Sequence, residues 1–208
     1  MPTDFDRTID RRGTASAKWA KYAGRDVIPL WVADMDFAAP PAVQEALRRH
    51  VDHGVYGYDD PMPEDTDAVL GFLARDYEWT VDPAWIVWLP GIVPGLRLAC
   101  DLRGASGDEV IVCPPVYPPF FKAPALADRT AVRVPLRCED ETWTLDLPAM
   151  RAAFSDRTRA VLLCQPHNPV GRVFSEDELR PLVDLCAERG AVLCSDEIHC
   201  EIDRKSVV

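Results

Sequence analysis

Between about residues 84 and 196, short apolar runs of strand type alternate with helical stretches, and this alternation constrains the fold more than any other feature of the chain. The runs fall at 84–89, 109–113, 131–135, 160–164 and 191–195. Helical patterns fall between them, at 92–102, from about 118, at 147–154 and at 175–190. Two parallel strands need a crossover of about a dozen residues or more, usually a helix. Alternating strands and helices therefore predict an α/β domain with a mostly parallel sheet. The runs are almost unbroken apolar, as strands are when helices cover both faces. The expected architecture is thus three layers, α/β/α. The last helix is the best marked: Ser175 and Glu178 form a capping box, and Gly190 stands at its end.

The segment before the sheet has a different texture. Residues 1–40 read as an irregular arm holding one apolar run, Val27-Ile28-Pro29-Leu30-Trp31-Val32. A helix is predicted at 41–52, from Pro41 in its first turn to His53-Gly54 at its end. A loop with aromatic knobs, Tyr56 and Tyr58, follows. A second helix fits 64–78, where Val69, Leu70, Phe72, Leu73 and Tyr77 recur at helical spacing.

Composition narrows the function classes. With 23 Lys+Arg against 34 Asp+Glu in 208 residues, the net charge is −11. No basic run offsets it, so the chain repels polyphosphate backbones and anionic membranes. No apolar stretch approaches the roughly 18 residues of a membrane span. The N-terminal charges precede no apolar core, so no secretory signal is read there. The seven cysteines form no CxxC pair, and they read as small buried hydrophobes in a reducing compartment rather than as metal ligands. Together these features point to the cytoplasm.

In open parallel sheets, ligands bind outside the carboxyl ends of the strands. The unusual residues of this chain lie there. Gly91-Ile92-Val93 stand at a helix start, where free N–H groups either hold an anion or simply make a β-to-α turn. Tyr117 sits among prolines, as loop packing or as a flat ring for stacking. Asn168 lies between Pro166 and Pro169, as a turn residue or as an amide donor. Asp196 ends the last apolar run; it caps a turn or keeps a cationic ring nitrogen protonated by charge attraction. His199 is a surface residue or a second hydrogen bonder beside Asp196. No GxGxxG and no GxxxxGK is present.

Taken together, these stretches resemble the N-terminal half of a fold-type I pyridoxal-phosphate enzyme. The chain is most similar to the MalY/PatB-type cystathionine β-lyases, a group related to the class I/II aminotransferases. The stretches that carry the resemblance are Asp10-Arg11-Arg12-Gly13-Thr14, Trp31-Val32-Ala33-Asp34-Met35-Asp36-Phe37, His53-Gly54-Val55-Tyr56-Gly57-Tyr58, Pro114-Pro115-Val116-Tyr117, Pro166-His167-Asn168-Pro169-Val170-Gly171-Arg172 and Ser195-Asp196-Glu197-Ile198-His199. The resemblance implies the cofactor pyridoxal 5′-phosphate. Gly91, Ile92 and Val93 would meet its phosphate, Tyr117 would stack on its ring, Asn168 would bond its phenolic oxygen and Asp196 its pyridine N–H. His199 stands where many relatives carry tyrosine. Tyr58 would reach the phosphate of a neighbouring subunit, which implies a homodimer. The implied reaction is α,β-elimination of cystathionine or a cysteine S-conjugate to pyruvate, ammonia and a thiol. The implied domains are an arm and small-domain segment at 1–45 and a large cofactor-binding domain at 46–202.

The family's Schiff-base lysine follows the aspartate motif by some tens of residues. Here the only lysines are Lys18, Lys21, Lys122 and Lys205, and none matches that motif. The chain therefore reads as a fragment with little or no lyase activity of its own. Residues 203–208 can be encoded by a common sequencing-adaptor string and read as a non-native tail. The competing readings are an aminotransferase on the same scaffold and a non-catalytic cofactor-binding or inert chain.

Overall fold

The computed structural model describes residues 4–202; the tail at 203–208, with Lys205, lies outside the described residues. The chain divides between Asp60 and Pro61 into two compact units.

The first unit holds two helices, α1 (Ala17–Ala20) and α2 (Pro41–His53). α2 starts and ends as the sequence predicts, with Pro41 at its first position and Gly54 as a left-handed cap. A charge cluster organises the arm before it. The Arg11 guanidinium lies 2.9 Å from both Asp34 and Asp36. The buried Lys18 ammonium donates to Asp36 at 2.8 Å and to the Asp34 carbonyl at 2.7 Å. The Trp19 indole N–H donates to Asp36 at 2.9 Å. The Lys18 and Trp19 bonds to Asp36 hold its carboxyl down to about 2. These bonds fold the Asp34-Met35-Asp36 stretch back onto α1.

The second unit opens with α3 (Pro63–Tyr77) and α4 (Ile92–Asp101), and β1 (Glu109–Val112), α5 (Pro119–Leu126) and β2 (Thr130–Arg133) follow. A short antiparallel hairpin, β3 (Arg137–Glu139) with β4 (Thr142–Thr144), is next. Then come α6 (Leu147–Ala153), β5 (Thr158–Cys164), α7 (Glu176–Arg189) and β6 (Val192–Asp196). The main sheet is wholly parallel, in the order β2-β1-β5-β6.

Alternation along the strands divides the core. Ile111, Val161 and Leu163 face one side, with Met150 of α6 and Leu182, Leu185 and Cys186 of α7. Val110, Val112, Ala160 and Leu162 face the other, with Leu96, Ala99 and Cys100 of α4 and Phe120 and Ala123 of α5. The sheet is thus covered on both faces, giving the expected α/β/α layers. α7 has the predicted caps: the Ser175 hydroxyl accepts the Glu178 N–H, the Glu178 carboxylate accepts the Ser175 N–H, and Gly190 is left-handed.

One expected strand is absent. The run 84–89 forms a single 3-10 turn, Pro83–Trp85, and then extended chain with no ladder partner among the described residues. Trp85 and Val87 are 70% and 73% exposed. Apolar composition reports willingness to be buried in a sheet, but a strand exists only where a neighbour accepts its backbone bonds. The β3–β4 hairpin was not foreseen. Its turn residues Asp140 and Glu141 both adopt positive φ, which aspartate tolerates but glutamate does not advertise.

Candidate functional site

The carboxyl edge of the sheet gathers the polar loops. β1 leads to Tyr117, β5 to Asn168 and β6 to Asp196, and β1, β5 and β6 are adjacent in the sheet. In the ladder, Cys164 is the register partner of Asp196, and the Gln165 N–H donates to the Asp196 carbonyl at 3.0 Å. The Asn168 N–H donates to Cys164 Sγ at 3.4 Å. Asn168 and Asp196 are therefore both seated against Cys164.

The start of α4 reaches the same edge. Its far end lies at the amino ends of the strands: Asp101 lies 3.9 Å from Arg129, just before β2, and Arg103 beyond the helix donates to the Gly190 carbonyl, just before β6. The helix runs back across the sheet, so Gly91, Ile92 and Val93 stand at the carboxyl edge. Gly91 has φ 134° and ψ 167°, a conformation essentially restricted to glycine. Ile92 and Val93 occupy the first turn, where backbone N–H groups have no intrahelical acceptor.

Asp196 is buried at 6% exposure, and its carboxylate accepts one backbone N–H, from Ile198 at 3.2 Å. Among the described residues it forms no salt bridge. Burial pushes its carboxyl above the usual range, against the pull of the Ile198 N–H and of His199. A buried carboxylate with spare acceptor capacity suits a protonated ring nitrogen. The helix start suits a phosphate. The Tyr117 ring is 40% exposed at the rim and free to stack. These residues fit pyridoxal phosphate. Tyr58, in the first unit, is fully exposed.

Residues that sequence reading passed over support this edge. The Gln165 side chain donates to the Phe174 carbonyl at 2.8 Å and accepts the Phe174 N–H at 3.1 Å, closing the loop that carries Asn168. Cys164 is the small buried residue expected and also an acceptor for Asn168. Cys100, Cys113 and Cys186 are buried as well, whereas Cys138 is exposed and Cys194 and Cys200 are half-buried. A separate open groove of about 1410 Å³, lined by residues that include Tyr77, Arg172, Phe174, Glu197 and Glu201, contains none of Tyr117, Asn168 and Asp196. Its arginines are already paired, Arg172 with Glu178 and Arg180 with Glu176. Among the described residues no cluster of His, Cys, Asp and Glu could hold a metal ion, and no helix is long and apolar enough to cross a membrane.

The chain belongs to the aminotransferase class I and II family, whose description matches residues 25–206. Within it, the chain is similar to cystathionine beta-lyase PatB of Bacillus subtilis, 39% identical over 204 residues that cover 96% of this chain and 53% of that protein. Among solved structures it is similar to cystalysin from Treponema denticola, which contains a pyridoxal 5′-phosphate cofactor: 35% identity, TM-score 0.89, 97% of this chain and 53% of that one. It is also similar to the PLP-bound C-S lyase from Staphylococcus hominis, at 31% identity and TM-score 0.89, over 99% of this chain and 54% of that one. The chain spans about half the length of the curated relatives it matches.

Proposed function

We propose that the protein is a pyridoxal-phosphate-dependent carbon–sulfur β-lyase, performing α,β-elimination on cystathionine or another cysteine S-conjugate and releasing pyruvate, ammonia and a thiol. One observation carries the reading: the buried carboxylate of Asp196 ends β6 beside Cys164, against which Asn168 is also seated. When bound, pyridoxal phosphate supplies an electron-accepting heterocycle. Asp196 would hold its ring N–H, and the opposite charge would offset the desolvation that now disfavours the ionised acid. Asn168 would donate its side-chain amide to the phenolic oxygen, and Tyr117 would cover one face of the ring. Gly91, Ile92 and Val93 would receive the phosphate at the start of α4. His199 would be a second hydrogen bonder beside Asp196. Tyr58 would reach the phosphate of a partner subunit in a homodimer. Residues 1–45 would serve as arm and small-domain segment, and 46–202 as the large cofactor-binding domain. The seven thiols, none in a disulfide, support a cytoplasmic location.

None of Lys18, Lys21, Lys122 and Lys205 matches the family's lysine motif, so the 208-residue chain by itself would hold the cofactor without a covalent link and have little or no lyase activity. Mixing the chain with pyridoxal phosphate and cystathionine tests this: no lysine-bound absorption band and almost no pyruvate are expected, and pyruvate release at the rate of a full-length relative overturns it. The family's aminotransferase members favour a second reading. When the chain is extended by the half that its relatives carry in addition, pyruvate and ammonia formed without a keto acid establish the lyase. Turnover only with a keto acid establishes the aminotransferase.

A further inference from the structure

β1 and β5 are ladder neighbours, and the loops leaving their carboxyl ends carry Tyr117 and Asn168. A single buried imidazole joins these two loops. His167 is 1% exposed, and its Nε2 lies 2.9 Å from the carbonyl oxygen of Pro115, two residues before Tyr117. A carbonyl has no proton to give, so Nε2 carries it and donates. Nδ1 has no hydrogen-bond partner among the described residues.

The rest of His167 is held on its own side. Its N–H donates to the Arg172 carbonyl at 2.7 Å, its carbonyl accepts the Gly171 N–H at 2.8 Å, and its ring meets the Phe174 ring edge-on at 5.7 Å. Burial lowers its basicity, against the pull of the carbonyls of Pro115, Cys164 and Cys113. A residue that only filled the core would do so without a polar ring. Enclosing one with half its capacity unmet costs free energy. The Nε2–H bond sets a link between loops against this cost.

We propose that His167 is a positioning residue that ties the Tyr117 loop to the Asn168 loop, so that the stacking ring and the amide meet the cofactor as one unit. The proposal rests on the pyridoxal-phosphate reading above for its purpose, but not for the tie itself. His167 touches neither substrate nor cofactor in this role. It acts through Pro115 on one side and through its covalent neighbour Asn168 on the other.

The test compares wild type with His167→Phe, which keeps a planar ring and removes the donor, and with His167→Gln, which keeps an N–H donor of similar reach. Nitrogen NMR of the imidazole is the first readout. A neutral ring protonated at Nε2 is expected at neutral pH, whereas a neutral ring with its proton on Nδ1 overturns the tie. Amide exchange is the second. In His167→Phe, exchange should quicken by about tenfold around both 116–121 and 168–171 while the mid-strand amides hold, with His167→Gln close to wild type. Acceleration in only one loop, or in neither, overturns the proposal.

The third readout is equilibrium dialysis of pyridoxine phosphate, which has an alcohol in place of the aldehyde and so needs no lysine. His167→Phe should weaken its binding by about tenfold, and His167→Gln should restore it. Undiminished binding by folded His167→Phe overturns the positioning role. If wild type does not bind the probe while the first two readouts come out as expected, the tie stands and the cofactor reading falls.

Discussion

Burying Asp196 carries a stability cost that its proposed role would offset when cofactor binds. Its folded-state carboxyl is raised above its ordinary value by burial. A raised acid contributes fully to folding below the unfolded value, and that contribution is lost as pH rises through the folded one. At neutral pH the ionised group therefore opposes folding. Without cofactor, Asp196→Asn should be at least as stable as wild type at pH 7, with the difference vanishing toward pH 3, while its affinity for pyridoxine phosphate falls. Urea unfolding at the two pH values checks this; a variant clearly less stable at pH 7 would contradict it. Gly104 makes a different case, a position where packing and backbone conformation both require glycine. It has φ +90°, and a Cβ there would stand 2.5 Å from Asp108 Oδ2 and 2.6 Å from Arg159 Cγ. Those two side chains are bonded to each other at 2.9 Å, and Asp108 also accepts the Ala105 N–H. Gly104→Ala should cost about 1–3 kcal/mol, read as a shifted urea midpoint.

Among the elements, α7 was the most legible, because its start and stop are written in local chemistry. Ser175, Glu178 and Gly190 satisfy end groups that no distant contact needs to satisfy. Ser175→Ala should destabilise the second unit by about 1 kcal/mol, measured by thermal or urea unfolding, and Ser175→Asp should restore most of it. The strands of the main sheet were legible for a related reason: four short apolar runs became β1, β2, β5 and β6. The run at 84–89 has a similar composition but no ladder partner among the described residues, so it forms no strand. Helices α2 and α3 have apolar stripes at helical spacing, yet neither has a fully buried residue.

At the scale of the whole molecule, exposed apolar surface is the outstanding property. Besides Trp85 and Val87, the arm leaves Ile28 and Leu30 at 81% and 86% exposure. Apolar surface on this scale marks contacts not made within the described chain. The 208-residue chain should bind a hydrophobic dye strongly and associate as its concentration rises, despite a net charge of −11 that favours separation. Sedimentation at two concentrations tests this, and a dye-silent monomer would contradict it. The sequence alone determined the layer architecture, most helix ends and the residues of the carboxyl edge, because periodicity, caps and strand-end polarity are local properties. Only the tertiary structure decided the strand order, the lost strand at 84–89, the seating of Asn168 and Asp196 against Cys164, and the reach of His167 to Pro115. These depend on which segments become neighbours, and hydrogen bonds across 52 positions of chain leave no periodic trace in it.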